Sequence, residues 1–433
     1  MPERIPKIAA LIVVAAVVSI AGLLITSRIS WATQAEESAV VDVGQPSGEP
    51  AFVRAAPSNK IYWADAGLSV DGQAKVMRAN LNGTSVEAVI TGRTQLSGVA
   101  VDPAGGKIYW SENPGLPNNG PYSADLDGAN IEKLPLGVTV SSVGVSLDIK
   151  NSKIYWASPL QLKVQRANLD GTNVDDDYAL FFPFASGIAV DPIGQRLYWA
   201  SNGEGSQGLL NDGKILRSMN LEPPPGLGPR LNREGDPDGN FEIIVQSASS
   251  TPFTTLDEPA GLALDISAGK VYWADILGHK IQRANLDGSN PEELIIGLSF
   301  PFGIALDPIR GHMYWTERIT DPRIVRADLD GSNQVVILPG LNDPWGLTLD
   351  VDRCPALSGG TTPLDNDADW RCEDTNANGR RDFQDVVKLF LEFSSPEVQN
   401  DQFYFDFNGN NGVDFGDVVT LFEDLAKLVG VLP

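Results

Sequence analysis

The chain has 433 residues, 42% of them hydrophobic, with a formal charge of −24 and a pI near 4.4. That length exceeds one usual domain, so two or more folded units are expected. So acidic a chain lacks the basic footprint that nucleic acid requires, and two histidines, His279 and His312, are too few for multi-imidazole catalysis or zinc binding. The excess of carboxylates suits divalent cations instead.

At the N-terminus Arg4 and Lys7 precede an apolar run, Ile8–Ile25, followed by small residues at Ser30, Ala32 and Ala35. This is the layout of a secretory signal with cleavage after Ala32 or Ala35. The same run is just long enough to span a bilayer. Residues 1–35 are therefore read as a signal peptide or an uncleaved N-terminal anchor. Both readings put the rest of the chain outside the cytoplasm, and only the second implies membrane contact. Residues 36–58 form a polar, Gly- and Pro-bearing linker.

From there a unit recurs: KIYWAD at Lys60–Asp65, KIYWSE at Lys107–Glu112, KIYWAS at Lys153–Ser158, RLYWAS at Arg196–Ser201, KVYWAD at Lys270–Asp275 and HMYWTE at His312–Glu317. The tyrosines are 47, 46, 43, 74 and 42 residues apart, and the one long interval contains the loop chemistry of Pro223–Pro225 and Gly235–Asn240. Each period holds four short strand-like pieces bounded by Gly, Pro, Asn or Asp. In the fifth these are Gly261–Asp265, Val271–Ala274, Lys280–Leu286 and Glu293–Ile296. Four antiparallel strands per ~45 residues match a β-propeller blade. A lone blade exposes two apolar faces, and radial stacking buries them, so the aromatic pairs read as core between blades.

Closure is also legible. The motif Gly-x-(Ala/Ser/Thr)-x-Asp ends at Asp102, Asp148, Asp191, Asp265, Asp307 and Asp350. The first five lead into a Tyr-Trp strand, whereas Gly346–Asp350 leads into none, and Tyr62-Trp63 lacks a good inner strand of its own. The last motif is expected to complete the first blade and remove an open sheet edge.

These motifs, with (I/V)xRAxLDG strands at Ile281–Gly288 and Ile324–Gly331, resemble the YWTD, or LDL-receptor class B, repeats. The resemblance implies a mainly β fold, a six-bladed β-propeller over residues 59–352. Departures fall in the second and fourth blades: Ser123 replaces the Arg found at Arg78, Arg166, Arg283 and Arg326, and Arg217–Leu221 runs one residue out of register. If those side chains hold neighbouring strands, these two blades are the less regular ones.

After a linker at residues 353–364 comes a duplicated pattern. Asp374, Asn376, Asn378, Asp382 and Asp385 stand at positions one, three, five, nine and twelve of a loop, with Gly379 at six. This is calcium-ligand spacing, alternation aiming oxygens at one ion while glycine permits the sharp turn. The pattern returns 32 residues later as Asp406, Asn408, Asn410, Asp414 and Asp417, each copy followed by an amphipathic helix. Solvated acidic loops or Asx turns are the plainer alternative. Two such loop–helix units ending in Asp resemble dockerin modules. That resemblance implies a small α-helical calcium-binding domain over residues 365–433, with calcium part of its folding free energy, and a cohesin-like partner. Cys354 and Cys372 are either a disulfide or two free thiols.

The expected function is extracytoplasmic, non-catalytic recognition: a propeller displaying a ligand-binding loop face to a protein or surface ligand, with a calcium module docking to a partner. The rival is a propeller enzyme of lactonase or lyase type, with a metal in the central channel. It would need the six inner-strand aspartates to converge, whereas their sequence context reads better as turn capping.

Overall fold

The computed structural model describes residues 58–66, 74–112, 119–138, 141–180, 185–201, 213–219, 221, 241–246, 256–351, 354, 372, 375, 383–395, 398–399, 402–408 and 412–428. The apolar run at Ile8–Ile25, the linker ahead of Ser58 and most of the expected first calcium loop lie outside these residues.

Among the described residues twenty-four strands form six four-stranded sheets, all paired antiparallel. Blade 1 is composite. It takes β1 (Lys60–Asp65), β2 (Ala74–Asn80) and β3 (Glu87–Arg93) from one end of the chain, and β24 (Pro344–Asp350) as its innermost strand. The other blades are consecutive. Blade 2 is β4–β7 (Leu96–Asp102, Lys107–Glu112, Gly120–Asp125, Glu132–Lys133), and blade 3 is β8–β11 (Val145–Asp148, Lys153–Ser158, Lys163–Asn168, Asp175–Leu180). Blade 4 is β12–β15 (Ala185–Asp191, Arg196–Ser201, Lys214–Ser218, Phe241–Gln246). Blade 5 is β16–β19 (Pro259–Asp265, Lys270–Asp275, Lys280–Asn285, Glu292–Ile296), and blade 6 is β20–β23 (Pro301–Asp307, His312–Glu317, Arg323–Asp328, Val335–Leu338). The expected closure is present: β24 pairs with β1, placing Thr348 opposite Tyr62 and Leu347 opposite Trp63.

Adjacent residues of a strand point to opposite faces, so each Tyr-Trp pair serves two interfaces at once. Tyr62 packs in the same core as Trp110, Tyr109 with Trp156, Tyr155 with Trp199, Tyr198 with Trp273 and Tyr272 with Trp315. Tyr314 with Trp63 closes the circle. Six cores thus alternate with six sheets, and every Trp of these pairs is fully buried.

Six glycines form a second ring inside the aromatic one. A Cβ added to Gly98, Gly144, Gly187, Gly261, Gly303 or Gly346 would fall within 3.0 Å of a backbone carbonyl oxygen of the next blade's inner strand. These glycines exist for close approach of backbones rather than for an unusual φ.

An arginine staple joins blades further out. Nη1 of Arg78, Arg166, Arg217 and Arg283 donates to the carbonyl oxygens of Leu126, Leu221, Leu286 and Leu329 in the next blade, at 2.9, 3.0, 2.7 and 2.9 Å. This corrects the reading of blade 4. Arg217 lies opposite Tyr198, just as Arg283 lies opposite Tyr272. The extra residue follows the arginine, and Leu221 still donates to Gln195 O at 2.8 Å, matching Leu286 to Gly269 O at 2.9 Å. Only Ser123, opposite Tyr109, lacks the guanidinium. Within the long interval, β14 is a strand, while residues 202–212 and 222–240 lie outside the described ones.

The indole N–H groups separate the blades by chemistry. Trp156 and Trp273 donate to Gln165 and Gln282 at 2.9 and 3.0 Å, and Trp110 and Trp315 to Glu112 and Glu317, both at 3.2 Å. Trp63 Nε1 is buried without an acceptor, and Met77 holds the position opposite it that Gln165 and Gln282 hold opposite theirs. Met77→Gln is expected to stabilise the protein by about 1 kcal/mol, read as a higher urea midpoint at unchanged m-value.

Beyond the ring, α1 (Phe383–Glu392), α2 (Gln402–Phe405) and α3 (Phe415–Leu428) surround a separate core of Leu389, Val398, Phe405, Val418 and Leu421. Of the two alternatives for the cysteines, the structure has the disulfide: Cys354 and Cys372 are bonded, their Cα atoms 5.8 Å apart, in the same buried core.

Candidate functional site

The inner strands surround an axial channel of about 210 Å³. Its walls are the middle residues of β4, β8, β12, β16, β20 and β24, such as Val99, Leu147, Ala189, Leu264, Ala305 and Leu349. Among the described lining residues the polar side chains are Ser146 and Thr348, with no carboxylate, imidazole, thiol or amine.

The six inner-strand aspartates sit where these strands leave the channel, and each accepts a backbone N–H. Asp102, Asp148, Asp191, Asp265 and Asp307 accept from Gly105, Asn151, Gly194, Ala268 and Arg310 at 2.8, 3.1, 2.7, 2.9 and 3.1 Å. Asp350 accepts from Ser58 N at 3.0 Å, where the chain enters the ring. The first five cap turns, as the sequence context indicated, whereas Asp350 ties down the incoming chain; the six do not form a cage.

At the opposite end, where the inner strands begin, the mouth is asymmetric. The residue before the ring glycine is Ser97, Val143, Ser186 or Ala260 in four blades but Phe302 and Trp345 in blades 6 and 1. These two half-buried rings meet edge-on at 4.7 Å. The Arg318 guanidinium lies 3.7 Å from the Trp345 ring centroid and 5.2 Å from that of Phe302. It is held there by both oxygens of buried Asp343, at 2.9 and 3.1 Å. Asp343 also accepts Trp345 Nε1–H at 2.6 Å, and its own N–H donates to Asp65 at 3.2 Å. A bidentate pair with a stacked guanidinium is a rigid, pre-ordered surface. Nearby, burial and the Asp275 carboxylate push the Glu258 carboxyl above its usual range, against a counter-pull from Arg318. Exposed Leu160, Leu277 and Ile319 lie in turns between second and third strands, which the antiparallel topology puts at this same end.

Sequence reasoning missed this cluster. Its signals were Trp345, a tryptophan outside the Tyr-Trp pairs, and Phe302, two aromatic rings at a position held by Ser, Val or Ala in the other four blades.

The second candidate is the helical module. Of the ten expected calcium ligands, Asp385, Asp406, Asn408, Asp414 and Asp417 are described; Asp374, Asn376, Asn378, Asp382 and Asn410 lie outside the described residues. Asp385 and Asp417, the twelfth positions of the two loops, are fully buried, and Asp406 is nearly so. Asp417 accepts from Asn408 N at 3.0 Å and Asp414 N at 2.7 Å, drawing the second loop around its carboxylate. A Cβ on Gly416 would meet Asn408 Nδ2 at 2.7 Å and Asp414 Oδ1 at 2.8 Å, so those two side chains converge there.

Residues 311–351 match the family described as low-density lipoprotein receptor repeat class B. The chain is 25% identical over 240 residues to low-density lipoprotein receptor-related protein 1 of Pyricularia oryzae, covering 51% of this chain and 71% of that protein. Among solved structures, a chain of the nidogen/laminin complex superposes with a TM-score of 0.52 at 20% identity, covering 67% of this chain and 98% of its own length. TolB from Acinetobacter baumannii reaches a TM-score of 0.49 at 12% identity, covering 69% of this chain and 68% of its own length. At such identities a structural likeness speaks for the fold alone. The closed six-blade topology makes this ring a six-bladed β-propeller, and the stretch 311–351 within it matches the low-density lipoprotein receptor class B repeat.

Proposed function

We propose that the protein is an extracytoplasmic, non-catalytic recognition scaffold. Its propeller binds a protein or surface ligand at the Trp345–Phe302–Arg318 mouth, and its C-terminal module, dockerin-like, holds calcium and docks to a cohesin-like partner. The observation that carries the reading is the contrast between the two parts of the channel. Among the described residues its walls carry no titratable side chain, whereas its mouth presents a pre-ordered aromatic and guanidinium surface. Aromatic and arginine anchors are what dominate binding interfaces. The chain enters the ring at Ser58 and leaves it at Val351, both at the end opposite the mouth.

For the module, the ligand chemistry supports a hard cation: its donors are carboxylates and amides, the set calcium takes. Buried Asp385 and Asp417 would be its anchoring ligands, Asp406, Asn408 and Asp414 completing the described part of the second loop. Exposed Val387, Phe390, Leu391 and Phe415, with the Phe390 and Phe415 rings 6.0 Å apart, give the helices an apolar surface for a partner.

The test is calorimetric titration of the full chain with calcium chloride, followed by capture of extracytoplasmic proteins on the immobilised chain with calcium or chelator. Two calcium sites are expected, one of them lost in Asp417→Ala, together with a calcium-dependent capture lost in the same variant. A second capture should be lost in Trp345→Ala and persist in chelator. Absence of calcium binding sinks the module's role, and capture indifferent to Trp345→Ala sinks the mouth's.

A further inference from the structure

The propeller's weak point is its seam. Blade 1 is completed only by β24, the last strand of the ring to be synthesised, and without it β1 would present an open edge. Three chain segments meet where β24 leaves the ring. The incoming chain is pinned by Ser58 N to Asp350 at 3.0 Å. The turn between β20 and β21 grips the same chain, Arg310 donating to Asn59 at 2.8 Å and to Asp307 at 3.0 Å. The outgoing chain carries Val351 in the seam core with Trp63 and Tyr314, then Cys354, three residues on, in the core of the helical module. Ile309, in that same blade 6 turn, packs against the module core formed by residues including Cys354, Cys372, Leu389 and Phe405. The module therefore holds both sides of the seam: blade 6 through Ile309, and the end of β24 through the buried disulfide.

We propose that the C-terminal module is a clasp on the propeller seam, so that ring stability depends on the module being folded and seated. The clasp needs only the module core, not the calcium reading, so the two can fail separately. It also makes partner docking on the module and ligand binding on the ring thermodynamically linked, because anything stabilising the seated module stabilises β24 in place.

The experiment uses the full chain in a Trp370→Phe background, followed by two signals on heating. Indole fluorescence is dominated by the six buried ring tryptophans, and far-UV ellipticity at the helix band reports the module. Ile309→Asp should lower the fluorescence transition by about 3–6 °C along with the helical one. Leu160→Asp, at the far end of the ring, should leave both unmoved. Amide exchange of Pro344–Asp350 should accelerate in Ile309→Asp while that of Pro259–Asp265 does not. Should Ile309→Asp fail to accumulate, Ile309→Ala is read in the same way, with a smaller shift. A fluorescence transition within 1 °C of the unsubstituted chain, with β24 exchange unchanged, overturns the clasp whether or not the helices melt early. Calcium titration of the same samples separates this outcome from failure of the calcium reading.

Discussion

Gly187→Ala is expected to destabilise the propeller by about 3 kcal/mol, the upper end of what overpacking a well-packed core costs. Among the six ring glycines its absent Cβ is the one closest to the neighbouring strand, lying against Ala260 O and the backbone of Leu262. The clash is with backbone on both sides, in strands already paired and stacked, so no side chain can rotate away. Blade 4 would have to move from blade 5, opening the shared core of Tyr198 and Trp273. Gly269→Ala is the control. It sits at φ +65° with nothing within 4 Å, and pays only the left-handed backbone cost of about 1–2 kcal/mol. Urea unfolding of both variants checks this; equal midpoints would show that the glycine ring is not a close-packed contact.

Arg166→Ala should cost about 3 kcal/mol, the range for breaking a largely buried ion pair. Arg166 and Asp175 are 10% and 14% exposed at the side chain, and the guanidinium also covers the Tyr178 ring at 4.6 Å and donates to Leu221 O in the next blade. Its removal leaves a half-desolvated carboxylate and an unpaired carbonyl at the junction of blades 3 and 4. Arg78→Ala should cost about 1 kcal/mol, because its partner Glu87 is 51% exposed and water replaces the lost bond. Denaturant midpoints decide it, and equal losses would mean the staples act through the inter-blade carbonyl alone. The same comparison explains how blade 2 tolerates Ser123: its neighbour Glu132 is exposed, so no buried charge is stranded.

The site is less legible in the sequence than the fold. The turn role of five inner-strand aspartates is legible because Asp before a turn has a local reason to be there, its carboxylate meeting an N–H two or three residues on, whereas the partner of Asp350 is the distant Ser58. The mouth cluster has no such local signature. Phe302, Arg318, Asp343 and Trp345 come from two blades and three chain segments, and only the ring brings the guanidinium over the indole. The register of Arg217 is hidden in the sequence for a related reason. A one-residue insertion after the arginine shifts the motif's spelling while leaving the cross-strand partner unchanged, and pairing rather than spelling decides which residue faces Tyr198.

By itself the sequence determined the blade count, the strand order within each blade and the composite first blade. Each rests on a local periodicity repeated six times, and an orphan strand has only one place to go when an open edge is costly. Tertiary structure alone decided which Trp shares a core with which Tyr, that six glycines touch carbonyls of the next blade, that the channel wall is without charge, and that Ile309 belongs to two cores. These are contacts between segments about 40 to 300 residues apart. They depend on the angle at which one sheet stacks on the next, a quantity no stretch of chain carries on its own.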